Sequence, residues 1–189
     1  MASLHQAIAE VLPMRLDFYE HWLHSDGLRH GGIGLAPMVA VVGFLRTEGD
    51  AYERIVARAG GCAADWVVDG MSGLERRVVA VLPRPLRLRA ALRIGRALVR
   101  RTYPRSRAIV TVRRGIARID VRRSVFCDVR EPGAAPLCRF YAAAFVRLLE
   151  RFALPAAADI SSCRATGGDR CTWSIEIRDS AATGDAVAE

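Results

Sequence analysis

The side chains best equipped for chemistry in this 189-residue chain are its five cysteines. Three of them follow one another in a single segment: Cys138 opens an apolar helix, Cys163 ends a strand, and Cys171 follows a Gly-Gly-Asp turn. A helix start and the two arms of a hairpin can be neighbours, and three thiolates suit Zn²⁺, which takes four donors in a structural site. The spacing is not a Cys-x-x-Cys knuckle, and the fourth donor stays open among Cys127, Asp159 and Asp169. The plainer reading treats these cysteines as small buried apolar side chains.

Nucleophilic catalysis needs a base beside the nucleophile. All four histidines (His5, His21, His24 and His30) precede residue 31, whereas every cysteine follows residue 60, so a Cys–His pair would form only across the fold. His21 and His24, with His30 nearby, are a candidate haem or metal set against the commoner role of exposed histidines. Gly31, Gly32 and Gly34 lack both a preceding strand and a closing Gly-Lys-Ser, so they read as a linker with room for a lid rather than a phosphate loop. Neither a Ser-centred elbow nor a Rossmann glycine pattern is visible, which weighs against an independent enzyme.

Charge is the third chemical resource. The formal net charge is +8, and every basic residue other than histidine is arginine. From Arg76 to Ile119 there is no Asp or Glu, while arginines recur throughout, creating a local field for anions. Within residues 86–103, Arg89, Arg93, Arg96 and Arg100 share one helical face, opposite Leu88, Ala91, Gly95 and Leu98. That face is either a solvated surface or one that meets an acidic ligand, a membrane headgroup or nucleic acid. Few aromatics interleave the arginines, which argues against stacking on single strands.

The elements that must hold these groups follow from periodicity. Leu137, Phe140, Tyr141, Ala144, Phe145, Leu148, Leu149 and Phe152 form one stripe, predicting a helix over 137–152 between Pro136 and Pro155. Residues 158–164 and 171–177 read as strands joined by a tight turn at Thr166–Asp169. Residues 107–113 and 116–123 alternate and meet at Arg114-Gly115, a second hairpin. Residues 1–24 read as a short helix and, beyond Pro13, a longer one; 37–46 is a buried helix or strand. Residues 50–68 form a helix with Tyr52, Ile55, Val56, Ala59, Ala63, Trp66 and Val67 inward, and 74–82 a further short helix. Trp66 and Trp173 read first as core. The domain organisation expected is an N-terminal helical segment (1–49) packed on one domain (50–178), with a disordered tail (179–189). No run reaches membrane-span length and the first residues do not resemble a signal peptide, so a cytoplasmic location is expected, with reduced thiols.

The cysteine–helix–hairpin arrangement resembles the 4-vinyl-reductase domain of bacteriochlorophyll-type proteins and of aromatic-sensing bacterial activators. The residues that carry it are Ser124-Val125-Phe126-Cys127, Ala135-Pro136-Leu137-Cys138 and the run from Cys163 to Cys171, with Ala64-Asp65-Trp66, Leu82-Pro83 and the arginine-rich helix before them. The resemblance implies an α/β (α+β) fold like that of TRAPP-complex subunits: a twisted antiparallel sheet with helices packed on it, dimeric, around an apolar ligand pocket. It also implies a structural zinc on Cys138, Cys163 and Cys171 with a Glu three residues before the second cysteine; Ile160 stands there instead.

The function these features imply is binding of a small hydrophobic ligand, with a tetrapyrrole intermediate of bacteriochlorophyll synthesis the most specific candidate and a carrier or accessory role. Arg89, Arg93 and Arg96 would meet its carboxylates, with Trp66, Phe126, Tyr141 and Phe145 as aromatic walls. Zn is the implied cofactor on Cys138, Cys163 and Cys171, with Cys127 the candidate fourth ligand. The rival reading is a sensor or adaptor domain acting through a protein partner; nucleic-acid or anionic-membrane binding ranks last.

Overall fold

The computed structural model describes residues 2–23, 35–129, 132–133 and 135–178. Residues 24–34, which hold the glycine linker with His24 and His30, lie outside the described residues, as does the tail from 179. Seven α-helices are described: α1 (Ala2–Val11), α2 (Leu16–Leu23), α3 (Leu35–Arg46), α4 (Asp50–Asp69), α5 (Gly73–Val81), α6 (Arg84–Thr102) and α7 (Arg139–Arg151). Four strands join them: β1 (Arg107–Arg113), β2 (Ile116–Arg122), β3 (Ala156–Ser162) and β4 (Cys171–Ile177). All pairings are antiparallel and the sheet order is β1-β2-β4-β3.

The molecule is layered. One sheet face presents Ala117, Ile119, Val121, Cys171, Trp173 and Ile175, all buried, to α6 and α7. Helix α4 packs on α7, and α1 packs on α4. The predicted stripe of α7 is the centre of this stack: Phe140, Tyr141, Phe145, Leu148 and Leu149 are all buried, each contributing roughly 1.5–3 kcal/mol of transfer free energy. Phe126 stacks on Phe140 with centroids 4.5 Å apart, and Phe145 meets the Trp173 ring edge-on at 6.0 Å.

The α4–α7 contact is close because a glycine permits it. A Cβ on Gly60 would overlap the Phe140 carbonyl oxygen and lie 3.2 Å from the Ala144 nitrogen. Gly60 therefore faces the core rather than merely weakening the helix. The same rotation turns Trp66 outward, at 44% exposure, so the inner face predicted for it is corrected. Asp65 then clamps the pair, accepting from Arg147 Nε and Arg151 Nη1 at 2.9 Å each.

Other predicted elements shift modestly. Pro13 opens a 3₁₀ turn, and the helix beyond it is shorter than the one before. Residues 37–46 are helical. In the β1–β2 hairpin, Arg114 (φ 48°) and Gly115 (φ 78°) both adopt left-handed backbone, as a two-residue primed turn requires. Strand β3 ends at Ser162 rather than at residue 164, after a register shift between Ile160 and Ser162. Cys163 is drawn out of the ladder by the turn that follows it, so residues 163–170 connect the strands in place of a tight four-residue turn.

Candidate metal centre and binding groove

Four segments deliver four thiols to one point. Cys127 ends a 3₁₀ turn (Val125–Cys127) beyond β2, Cys138 is the N-cap of α7, Cys163 follows β3, and Cys171 begins β4. Their sulfurs all lie within 4.8 Å of one another, and all four residues are buried. Cys127 Sγ is 3.4 Å from both Cys163 Sγ and Cys171 Sγ, and the latter two are 4.0 Å apart. A tetrahedral ion with Zn–S bonds of about 2.3 Å requires sulfurs about 3.8 Å apart. The donor set and its spacing fit a closed structural site and could hold a metal ion.

The protonation of the cluster agrees with its closeness. Hydrogen bonding by Cys127, then by Cys138 and Cys171, holds the Cys163 thiol well below the usual range. Contacts with Cys127, Cys163 and Cys171 push Cys138 up instead. Protons are thus shared unequally among sulfurs too close to ionise together, and a central cation would take the place of those protons.

The supporting residues explain why the cage forms. The Cys163 carbonyl oxygen accepts from Thr166 N (3.1 Å), Gly168 N (3.0 Å) and Thr166 Oγ1 (3.0 Å), curling the chain back toward Cys171. Gly167 sits at φ 89°, and a Cβ on Gly168 would meet Ser162 Oγ at 2.5 Å. The Leu137 N–H points at Cys163 Sγ at 3.4 Å. From α3, Arg46 donates to the Phe126 and Asp128 carbonyls at 2.8 and 3.3 Å, fixing the Cys127 turn. From α4, the Tyr52 hydroxyl donates to the Leu137 carbonyl at 3.1 Å, fixing the Cys138 approach. Arg46 and Tyr52 were not among the predicted site residues, because nothing local in sequence links them to cysteines some 80 positions away.

Of the three candidates for the fourth position, Cys127 is the one that lies with the other three sulfurs. Asp159 and Asp169 are both exposed. Ile160, where the resemblance implies a glutamate, pairs with Trp173 in the sheet. His21 is exposed on α2.

The predicted ligand residues divide into three places. Arg89, Arg93 and Arg96 line a groove of about 810 Å³ between α6 and β1, joined there by Arg100 and Arg107. The groove's apolar floor is Leu92, Ala97, Ala108, Val110 and Val112, and no acidic residue lines it. Phe126, Tyr141 and Phe145 are not in it: all three are buried in the core, with Phe145 against Gly95 and Trp173. Trp66 lies apart on the outer side of α4. Among the described residues, none of the five groove arginines has an ion-pair partner.

No helix among the described residues is long and apolar enough to cross a membrane. No family model matches this chain, and no curated protein matches it. Solved structures do. One is a trafficking protein particle complex subunit 3 from Naegleria fowleri, covalently bound to palmitic acid, at 14% identity and TM-score 0.50, covering 71% of this chain and 82% of that one. Another is the phenol-responsive sensory domain of the transcription activator PoxR with phenol, at 14% identity and TM-score 0.50, covering 77% and 75%. The layered helices on a four-stranded antiparallel sheet are therefore a TRAPP-subunit-like α+β fold, shared with the sensory domain of a transcription activator.

Proposed function

We propose that this protein is a zinc-stabilised carrier or accessory protein that holds an amphipathic, carboxylate-bearing ligand in the α6–β1 groove. The observation that carries the reading is the groove itself: five guanidinium groups without acidic neighbours stand around an apolar floor. Guanidinium pairs carboxylates bidentately, while Leu92, Ala108, Val110 and Val112 offer a ring or chain an apolar bed. The volume of about 810 Å³ falls in the upper part of the range for small-molecule sites. The resemblance of the cysteine segment to the 4-vinyl-reductase domain makes a tetrapyrrole intermediate of bacteriochlorophyll synthesis the specific ligand proposed. Cys127, Cys138, Cys163 and Cys171 would hold zinc, which would tie the β2 end, the α7 start and the β3–β4 hairpin into one unit. The protein works in this reading as a homodimer without turnover of its ligand.

Fluorescence titration with protoporphyrin IX and with its dimethyl ester tests the ligand class. The diacid binds, and the ester binds at least roughly tenfold more weakly, since charged hydrogen bonds contribute about 1.5–3 kcal/mol. Arg89→Gln combined with Arg93→Gln and Arg96→Gln abolishes that preference. Equal affinity for acid and ester would overturn the arginine assignment.

A second reading, a sensor or adaptor acting through a protein partner, is favoured by α5. Its Leu74, Val78 and Val81 follow helical spacing and are 74%, 51% and 81% exposed. In that case Val78→Glu would leave porphyrin binding intact and abolish partner capture.

A further inference from the structure

Another pocket lies at the Cys127 turn, where Ser124, Val125 and Asp128 flank the cysteine. It has a volume of about 320 Å³ and is lined by Val39, Tyr103, Arg123, Ser124, Val125, Asp128 and Arg164. An adjoining pocket of about 330 Å³ shares Arg123 and Arg164 and adds Arg122, Arg170 and Asp169. None of these four arginines has an ion-pair partner among the described residues.

Two features in this loop are unfavourable without a ligand. Ser124 is 1% exposed, yet its hydroxyl has no hydrogen-bond partner, and a buried unpaired hydroxyl is destabilising. Arg123 next to it adopts φ 58°, a conformation that side-chain-bearing residues disfavour. It is held there by Ser106 Oγ, which donates to the Arg123 carbonyl at 2.6 Å. Strain and an unsatisfied donor at adjacent residues, at a cation-lined cavity, mark a binding position rather than a packing need.

We propose that the Ser124 pocket binds a small apolar monocarboxylate. Arg123 and Arg164 take the carboxylate, the Ser124 hydroxyl donates to one of its oxygens, and Val39, Val125 and the Tyr103 ring bed the apolar part. Asp128 on the same wall repels a dianion such as phosphate, and the volume admits about one ring, at the lower limit of small-molecule sites. The site is separate from the groove read above and does not depend on it. Because Ser124 and Val125 lead directly into the Cys127 turn, occupancy stabilises the cage by mass action.

Calorimetric titration and melting with benzoate, benzyl alcohol and inorganic phosphate test this on the full chain with its metal retained. Benzoate binds and raises the melting temperature, while benzyl alcohol and phosphate bind at least roughly tenfold more weakly. Ser124→Ala removes the unpaired donor, so the ligand-free protein melts no lower while benzoate affinity falls roughly tenfold; a purely structural serine would lower the melting temperature instead. Arg164→Gln weakens benzoate equally, and Arg54→Gln, at an exposed position of α4, leaves it unchanged. Absence of benzoate binding, equal binding of phosphate, or full affinity in both Ser124→Ala and Arg164→Gln would each overturn the proposal.

Discussion

At the scale of single residues the cage turns on Cys127. It touches two of the other three sulfurs at 3.4 Å, so its loss leaves a three-thiol set and an open coordination position. With zinc on the four thiols as proposed, Cys127→Ser loses stoichiometric zinc in metal analysis and melts lower than the parent, because binding energy in such sites is folding energy. A strong chelator applied to the parent protein reproduces that fall, whereas it leaves Cys127→Ser unmoved. Arg46 acts on the same sulfur indirectly, through the Phe126 and Asp128 carbonyls. Arg46→Ala keeps all four ligands but weakens zinc affinity by roughly 10–100-fold in competition with a chromogenic chelator, the effect usual for outer-shell partners. Unchanged affinity would show that the turn holds its shape without the guanidinium.

At the scale of elements, the α4–α7 pair sets where Cys138 enters. Gly60→Ala would drive a methyl group into the Phe140 backbone, two residues beyond the cysteine. Denaturant unfolding should show a loss of roughly 1–3 kcal/mol, the range for overpacked contacts. The Asp65 clamp across the same pair is sensitive to pH. Burial works to raise the Asp65 carboxyl, but hydrogen bonds from Arg147 and Arg151 outweigh it and hold the group below the usual aspartate range. A depressed carboxyl stabilises the fold fully above the ordinary value and loses that contribution as pH falls through the folded one. Asp65→Asn thus costs about 1 kcal/mol at neutral pH, and the gap to the parent closes in melting curves taken below about pH 4. These elements were largely legible in the sequence: the α7 stripe and both hairpins appear because helical and strand periods are local. The inward face of α4 was legible too, since Tyr52, Ile55, Val56 and Ala59 are all buried. Only Trp66, near the end of that helix, departs from the stripe and is exposed.

At the scale of the whole molecule, the sheet and its helices bring together residues that no spacing rule connects. Three of the cage thiols could be picked out in the sequence because helix start and hairpin are consecutive. The fourth was one of three open choices, since Cys127 lies in an aperiodic turn placed by Arg46 from α3. The ligand residues were legible only as a helix face: Arg89, Arg93 and Arg96 do line one groove, while Phe126, Tyr141 and Phe145 are used as core and Trp66 lies exposed on α4. An aromatic side chain beside a buried cage has two equally good uses, and composition does not separate them. The groove and the cage are on different elements, α6–β1 and the α7–hairpin unit, which meet through the packing of α6 against α7. With zinc on the four thiols as proposed, its removal is expected to loosen the groove. Protoporphyrin IX affinity falls in Cys127→Ser even though every groove arginine is intact.

Native mass spectrometry of the full chain, purified from the cells that make it, reads metal and ligand together. The account predicts a species carrying a single zinc ion per chain and a tetrapyrrole, with the zinc absent from Cys127→Ser. A folded chain that carries no metal, and whose melting temperature does not change when zinc or chelator is added, would contradict it.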